Sequence, residues 1–199
     1  MSEGVRLLPQ ALDRAAQEAL AAGVLAALEA APAARYATRG GRAMSVAMSG
    51  LGPLSWVSDA GGYRYQAAHP ATGRPWPEMP PALLDLWRRH GHAGVPPDAC
   101  LVNLYGPDAR MGLHQDRDEA DFAFPVVSVS LGDTALFRLG GVRRSDPTRQ
   151  VRLASGDVLV MSGAGRLVWH GVDRILAGSS SLLPGGGRIN LTLRRAMPA

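Results

Sequence analysis

From residue 99 to residue 195 the chain is a succession of short apolar or alternating runs divided by Gly, Pro and Asp turns, and no other feature limits its fold as strongly. The runs cover residues 100–105, 113–115, 126–131, 135–139, 150–153, 157–161, 167–170 and 188–195. Segments this short, separated by turn residues, match strands better than helices. Eight of them in sequence predict a β-sandwich or jelly roll, so the class expected is mainly β within α+β. At 199 residues the chain is one domain's worth, long enough for a sizeable core.

Two helices are expected outside this sheet region. Residues 12–30 are rich in Ala and Leu, with Leu20, Val24, Leu25 and Leu28 at helical spacing and Pro32 beyond the end. Residues 81–90 place Leu83, Leu84 and Trp87 on one face before Gly91. A strand is expected at 5–8, a turn at 38–41 and another strand at 43–48. Between Gly50 and Pro81 the chain is dense in Gly and Pro yet carries Trp56, Tyr63, Tyr65 and Trp76. Aromatics on a flexible cover can stack on a flat ring, but such residues most often serve burial, so by themselves they read first as core or loop packing. His69, His90 and His92 show no ligand pattern.

The chemistry concentrates in His114-Gln115-Asp116. Residues i and i+2 of an extended segment share a face, so one imidazole and one carboxylate can meet at a point. His170, after an apolar run, supplies a third ligand. Two histidines and a carboxylate that leave other positions open suit non-haem Fe(II) oxygenases. Near the C-terminus, Arg188, Asn190, Thr192 and Arg194 fall on alternate positions, hence on one face of a strand. Two arginines aimed into a barrel interior are costly without an anion, and a dicarboxylate supplies that charge.

Taken together, CLVNLYGPDARMGLHQDRDE, PVVSVSLGDTALFRLGG, RRSDP, GDVLVMSG, WHGV and RINLTLR closely resemble the AlkB family of Fe(II)/2-oxoglutarate-dependent dealkylating dioxygenases, its bacterial DNA-repair members above all. MSVAMS and GYRYQAAHPATGRPWPEMP extend the likeness from about residue 41 to residue 195. The resemblance implies a double-stranded β-helix core over 99–195 with flanking helices and a nucleotide-recognition lid over about 41–81, all in one domain. It implies that His114, Asp116 and His170 hold iron. It implies that Asn103, Tyr105, Arg188, Asn190 and Arg194 bind 2-oxoglutarate, with Arg188 on the distal carboxylate and Arg194 near the iron-chelating end. Met48, Trp56, Tyr63, Tyr65 and Asp118 match positions that line the base pocket or contact the strand, and Arg144 matches a nucleic-acid contact.

The reaction implied is oxidative demethylation of N-alkylated bases such as 1-methyladenine and 3-methylcytosine, with dioxygen consumed and formaldehyde released. The partner implied is alkylated DNA, single-stranded or with the base flipped from a duplex, and RNA as a further candidate. A lesion on the Watson–Crick edge cannot pair, so it leaves the stack at lower cost. It is also cationic, which favours a carboxylate and electron-rich rings around it. Competing readings are a related oxygenase acting on a small molecule or protein, a non-catalytic nucleic-acid-binding module, and a zinc hydrolase using the same three ligands.

All 21 basic residues are arginine, against 17 acidic ones, and the resulting +4 is compatible with a polyanionic partner without requiring one. A single cysteine, Cys100, excludes an internal disulfide and a cysteine zinc site. No apolar run reaches membrane-spanning length, so a soluble cytoplasmic protein is expected, and a monomer is the expected state. The segment from Ser179 to Gly187, SSSLLPGGG, reads as a loose loop that leaves the pairing of the last strands open.

Overall fold

The computed structural model describes residues 3–38 and 41–198. Its strands are β1 (Val5–Leu8), β2 (Ala47–Leu51), β3 (Ser55–Asp59), β4 (Gly62–Gln66), β5 (Ala99–Tyr105), β6 (Met111–His114), β7 (Val126–Gly132), β8 (Thr134–Leu139), β9 (Arg149–Leu153), β10 (Val158–Met161), β11 (His170–Leu176) and β12 (Arg188–Arg194). Helix α1 covers Arg14–Ala30; α2 covers Pro81–Leu86 and runs on as a wider turn through Trp87–Gly91. Asp13 caps α1 by accepting from the Ala16 amide at 2.8 Å.

The strands form two facing antiparallel sheets. One has the order β1-β10-β7-β12-β5-β2, the other β6-β11-β8-β9, and β3 and β4 make a separate hairpin. This is the double-stranded β-helix, and its alternation explains the cavity. On β12, Ile189, Leu191 and Leu193 join Leu20, Val24, Leu83 and Trp87 beneath the helices, while Arg188, Asn190, Thr192 and Arg194 turn between the sheets. On β7, Val127, Val129 and Leu131 face the helices, and Ser128 and Ser130 face inward beside β12. A second apolar cluster, including Phe137, Leu139, Leu159, Met161 and Val172, packs the two sheets together below the cavity.

Several expectations shift. The strand expected over 43–48 runs instead from Ala47 to Leu51, because Ala43 and Met44 are taken up in pairings with Ala37 and Tyr36. The run at 167–170 belongs to a strand that starts at His170: the Trp169 amide and carbonyl bond to Gly141 and Gly140 in the neighbouring turn. The stretch read as a flexible cover contains the β3–β4 hairpin, with Trp56 opposite Tyr65 and Ser58 opposite Tyr63. His69, in which no ligand pattern was seen, is buried. Its Nε2 lies 2.9 Å from the Pro32 carbonyl, and its Nδ1 accepts from the Ala71 and Thr72 amides. Trp76 donates to the Gln66 carbonyl, so it serves this packing also.

The loop through SSSLLPGGG is tied down. The buried Asp133 carboxylate accepts from the Ser180 and Gly187 amides, and Leu182 enters the helix-side core. The last strand consequently pairs in full register, Arg188 to Tyr105 on one side and to Gly132 on the other. The turn expected at 38–41 falls partly outside the described residues; Thr38 and Gly41 remain joined by a backbone hydrogen bond. Among the described residues no helix is long and apolar enough to cross a membrane.

Candidate active site

A cavity of about 780 Å³ lies between the sheets and opens under the β3–β4 hairpin, a size ordinary for a small-molecule site. At its centre the ligand atoms of His114, Asp116 and His170 all lie within 4.8 Å of one another. His114 ends β6 and His170 begins β11, and the two are directly paired. Gly171 permits that closeness: a Cβ there would stand 2.6 Å from the Met111 carbonyl oxygen. Gln115 points away from the two ligands beside it and donates to the Leu167 and Val142 carbonyls, pinning the segment between them.

The protonation states suit a metal. His114 Nδ1 lies 2.9 Å from the Gly112 carbonyl and His170 Nδ1 3.0 Å from that of Val168. A carbonyl only accepts, so each Nδ1 carries the proton and each Nε2 presents its lone pair to the shared centre. Burial, with His114 beside it, pushes the His170 imidazole down to about 4, which keeps it neutral. Burial works to raise the Asp116 carboxyl, but Arg194 and the two imidazoles outweigh it and hold it well below the usual range. Two imidazoles whose Nε2 atoms face one carboxylate fit ferrous iron and leave further positions for ligands.

Arg194 and Arg188 both line this cavity, six residues apart on one strand face. Arg194 Nη2 lies 2.9 Å from Asp116 Oδ2, and its Nε 3.1 Å from Glu119 Oε1 though without hydrogen-bond alignment. Among the described residues no carboxylate is in contact with Arg188. It donates to the Leu153 and Asp133 carbonyls and to Ser130 Oγ, its Nε is buried without a partner, and burial pushes it down to about 10. Asn103 Oδ1 is likewise buried and unpartnered, and the Tyr105 hydroxyl finds only the Met111 sulfur at 3.7 Å. A buried cation and spare polar atoms around one space call for an anion with hydrogen-bonding oxygens. Asn190 differs from them: its amide donates to Ser128 Oγ and the Val129 carbonyl, and its oxygen accepts from Asn103 and Thr192.

At the mouth, Trp56 and Tyr63 meet at 5.0 Å between ring centres, and Tyr36 supports Trp56 edge-on at 5.9 Å. Trp56 Nε1 donates to Asp118 Oδ2 at 2.8 Å, so the indole and the carboxylate form one unit. Met48 lines the wall beside Asn103, its partner across β2 and β5. The Tyr65 hydroxyl donates to Glu119 at 2.6 Å. Arg144 does not line the cavity; its guanidinium lies over the Trp169 ring at 4.8 Å, on the turn after β8.

Glu119, Arg166 and Tyr36 were not singled out from the sequence. Glu119 is buried and gathers Tyr65, Arg166 and Arg194, joining the hairpin to the strand end beside Asp116. Arg166 also donates to the Asp116 and Phe124 carbonyls. The acidic residue three places after Asp116 was visible in HQDRDE; the arginine 50 residues later carried no pattern that tied it there.

The sequence matches the 2OG-Fe(II) oxygenase superfamily across residues 4–194. It is 66% identical over 196 residues to an alpha-ketoglutarate-dependent dioxygenase AlkB homolog of Caulobacter vibrioides, covering 98% of this chain and 89% of that one. It is 44% identical over 169 residues to alpha-ketoglutarate-dependent dioxygenase AlkB of Escherichia coli, covering 83% and 78%. Among solved structures, OsALKBH1 superposes with a TM-score of 0.81 over 98% of both chains at 30% identity.

Proposed function

The chain belongs to the AlkB family of 2OG-Fe(II) oxygenases, and from that premise we propose that it removes N-linked alkyl groups from bases such as 1-methyladenine and 3-methylcytosine in DNA. One observation carries the reading: a single cavity joins the His114, Asp116 and His170 centre, the unpaired Arg188 and the aromatic wall of Trp56 and Tyr63. Iron held by these residues would supply, with dioxygen and with 2-oxoglutarate converted to succinate and carbon dioxide, the oxidising power to hydroxylate the N-methyl group, whose hydroxymethyl product would be lost as formaldehyde.

The protein's own part is positional. His114, Asp116 and His170 would hold the iron. Arg188 would pair with the distal carboxylate of 2-oxoglutarate, and Tyr105 and Asn103, whose polar atoms are least committed, would bond its oxygens. Arg194 would act mainly by holding Asp116, and Asn190 by orienting Asn103. Trp56 and Tyr63 offer π-faces and Asp118 a negative charge to a cationic base, with Met48 completing the wall. Tyr65 would fix the hairpin over it through Glu119. In this reading residues 41–81 act as the nucleotide-recognition lid over the 99–195 core. The alkylated base enters unpaired or flipped, from DNA or from RNA with the same exposed edge, and Arg144 contacts the strand outside. One protomer carries every residue required, so a monomer suffices.

The test is formaldehyde release from methylated single-stranded oligonucleotides supplied with iron, 2-oxoglutarate and air. Release from 1-methyladenine and 3-methylcytosine, matched by succinate, is expected. No release, alongside turnover of a small molecule or protein side chain, would overturn the proposal.

A further inference from the structure

The two sheets are finished differently on their outer sides. Helices cover the six-stranded sheet, but none packs on β8, β9 or β11, whose residues are missing from the helix-side core. On β8, Ala135, Phe137 and Leu139 point into the molecule, so Leu136 and Arg138 point out. Arg152 on β9 and Arg174 on β11 lie opposite Leu136, one on either side, and Gln150 lies opposite Arg138. Arg152 and Arg174 therefore stand roughly 10 Å apart, two strand spacings, with Arg138 roughly 7 Å along the sheet.

Among the described residues the only carboxylate on this face is Asp173, which pairs with Arg138 at 2.8 Å and accepts from Gln150. Among the described residues Arg152 and Arg174 are exposed and have no ion pair or side-chain hydrogen bond. Three arginines against one carboxylate leave a surplus of two charges, half of the +4 of the whole chain. Exposed like charges at this separation repel only weakly in salt, and among the described residues the fold supplies neither Arg152 nor Arg174 with a partner. Their grouping calls for an anion from outside, and arginine is matched to phosphate.

The face lies directly behind the active site. Arg138 is opposite Gly171, and its neighbour Phe137 stacks on the His170 ring inside. The turn after β8 continues the surface toward the cavity, with Arg144 on Trp169 and the Val142 carbonyl bonded to Gln115. We propose that the outer face of the four-stranded sheet, through Arg138, Arg152 and Arg174, binds the sugar-phosphate backbone of the substrate strand beyond the base held in the cavity. The proposal rests on the nucleic-acid reading above and adds a second contact surface to it. Phosphate contacts of this kind position a strand without reading its sequence.

The experiment compares the parent with Arg152→Gln/Arg174→Gln, both loaded with iron and 2-oxoglutarate under anaerobic conditions. Affinity is measured against salt for a 1-methyladenine pentanucleotide and for a strand of about 20 nucleotides with the same lesion, long enough to leave the cavity and cross the sheet. The variant is expected to bind the pentanucleotide as the parent does. For the long strand its log–log salt dependence should be shallower by about 1.4, two phosphates at about 0.7 each on single strands. Unchanged long-strand affinity and slope would overturn the proposal, and so would an equal loss on both lengths, which would place the effect in the cavity. Both positions are exposed, so an unchanged melting temperature is expected, and each single variant should show half the shift. Absence of formaldehyde from the parent would instead sink the catalytic reading, leaving the binding comparison to be judged separately.

Discussion

The two ends of β12 hold guanidinium groups in opposite circumstances. Arg194 is enclosed by carboxylates: burial works against its charge, but Asp116, Tyr65 and Glu119 outweigh burial and hold it well above its ordinary value. Arg188 is as deeply buried and has only two carbonyls and a hydroxyl. One arginine has its charge met by carboxylates within the fold; the other keeps a buried Nε without a partner. The same alternating strand thus carries at one end an arginine paired with carboxylates beside the three candidate ligands, and at the other an arginine that no carboxylate meets among the described residues.

Removing a ligand from the metal end should have the largest effect. His170→Ala is expected to abolish formaldehyde release and 2-oxoglutarate turnover while the circular dichroism spectrum stays that of the parent; iron-dependent turnover in the variant would break the assignment. Next comes Arg194→Met, which leaves Asp116 and Glu119 buried with less compensation. Denaturant unfolding should show a loss of about 3–5 kcal/mol, the usual cost of breaking a buried ion pair. Arg188→Met sharpens the contrast, since a desolvated charge departs along with its hydrogen bonds. Its stability should stay within about 1 kcal/mol of the parent, while the KM for 2-oxoglutarate rises by about 100-fold, the loss of a charge-assisted bidentate contact of about 3 kcal/mol. Equal destabilisation by both substitutions would erase the distinction.

The smallest effect is one of pH on the metal-free protein. His170 titrates near 6.5 when unfolded and at about 4 when folded, so the unfolded chain binds the extra proton first. Stability from this group is complete above about pH 6.5 and drains as pH falls toward 4. Asp116, held low, adds a loss only below about 3.8. Ferrous iron, which competes with the proton for the imidazole, should restore part of the loss in thermal melts under anaerobic conditions.

Residues whose role depends on short-range spacing were legible. The i, i+2 spacing brought His114 and Asp116 to one centre, although the strand itself ends at His114, and the RINLTLR alternation placed Arg188 and Arg194 inward. The helices also followed from periodicity, α1 beginning two residues later than expected, after the Asp13 cap. The β3–β4 hairpin was missed because its Gly and Pro content imitates a loop, and its order comes from contacts distant in sequence, such as Trp56 to Asp118 and Tyr65 to Glu119. The SSSLLPGGG segment misled for the same reason, since Asp133, some 50 residues away, holds it.

By itself, then, the sequence determined the periodic elements, the ligand types and the family, because side-chain alternation and motif spacing are local properties of the chain. Tertiary structure alone decided which arginine has its charge met. Arg188 and Arg194 occupy equivalent positions in the pattern, and only the fold brings Asp116 and Glu119 to one of them while leaving the other, on the same cavity wall, without a carboxylate among the described residues. Coulomb energy depends on distance through space, which the order of residues along the chain does not state.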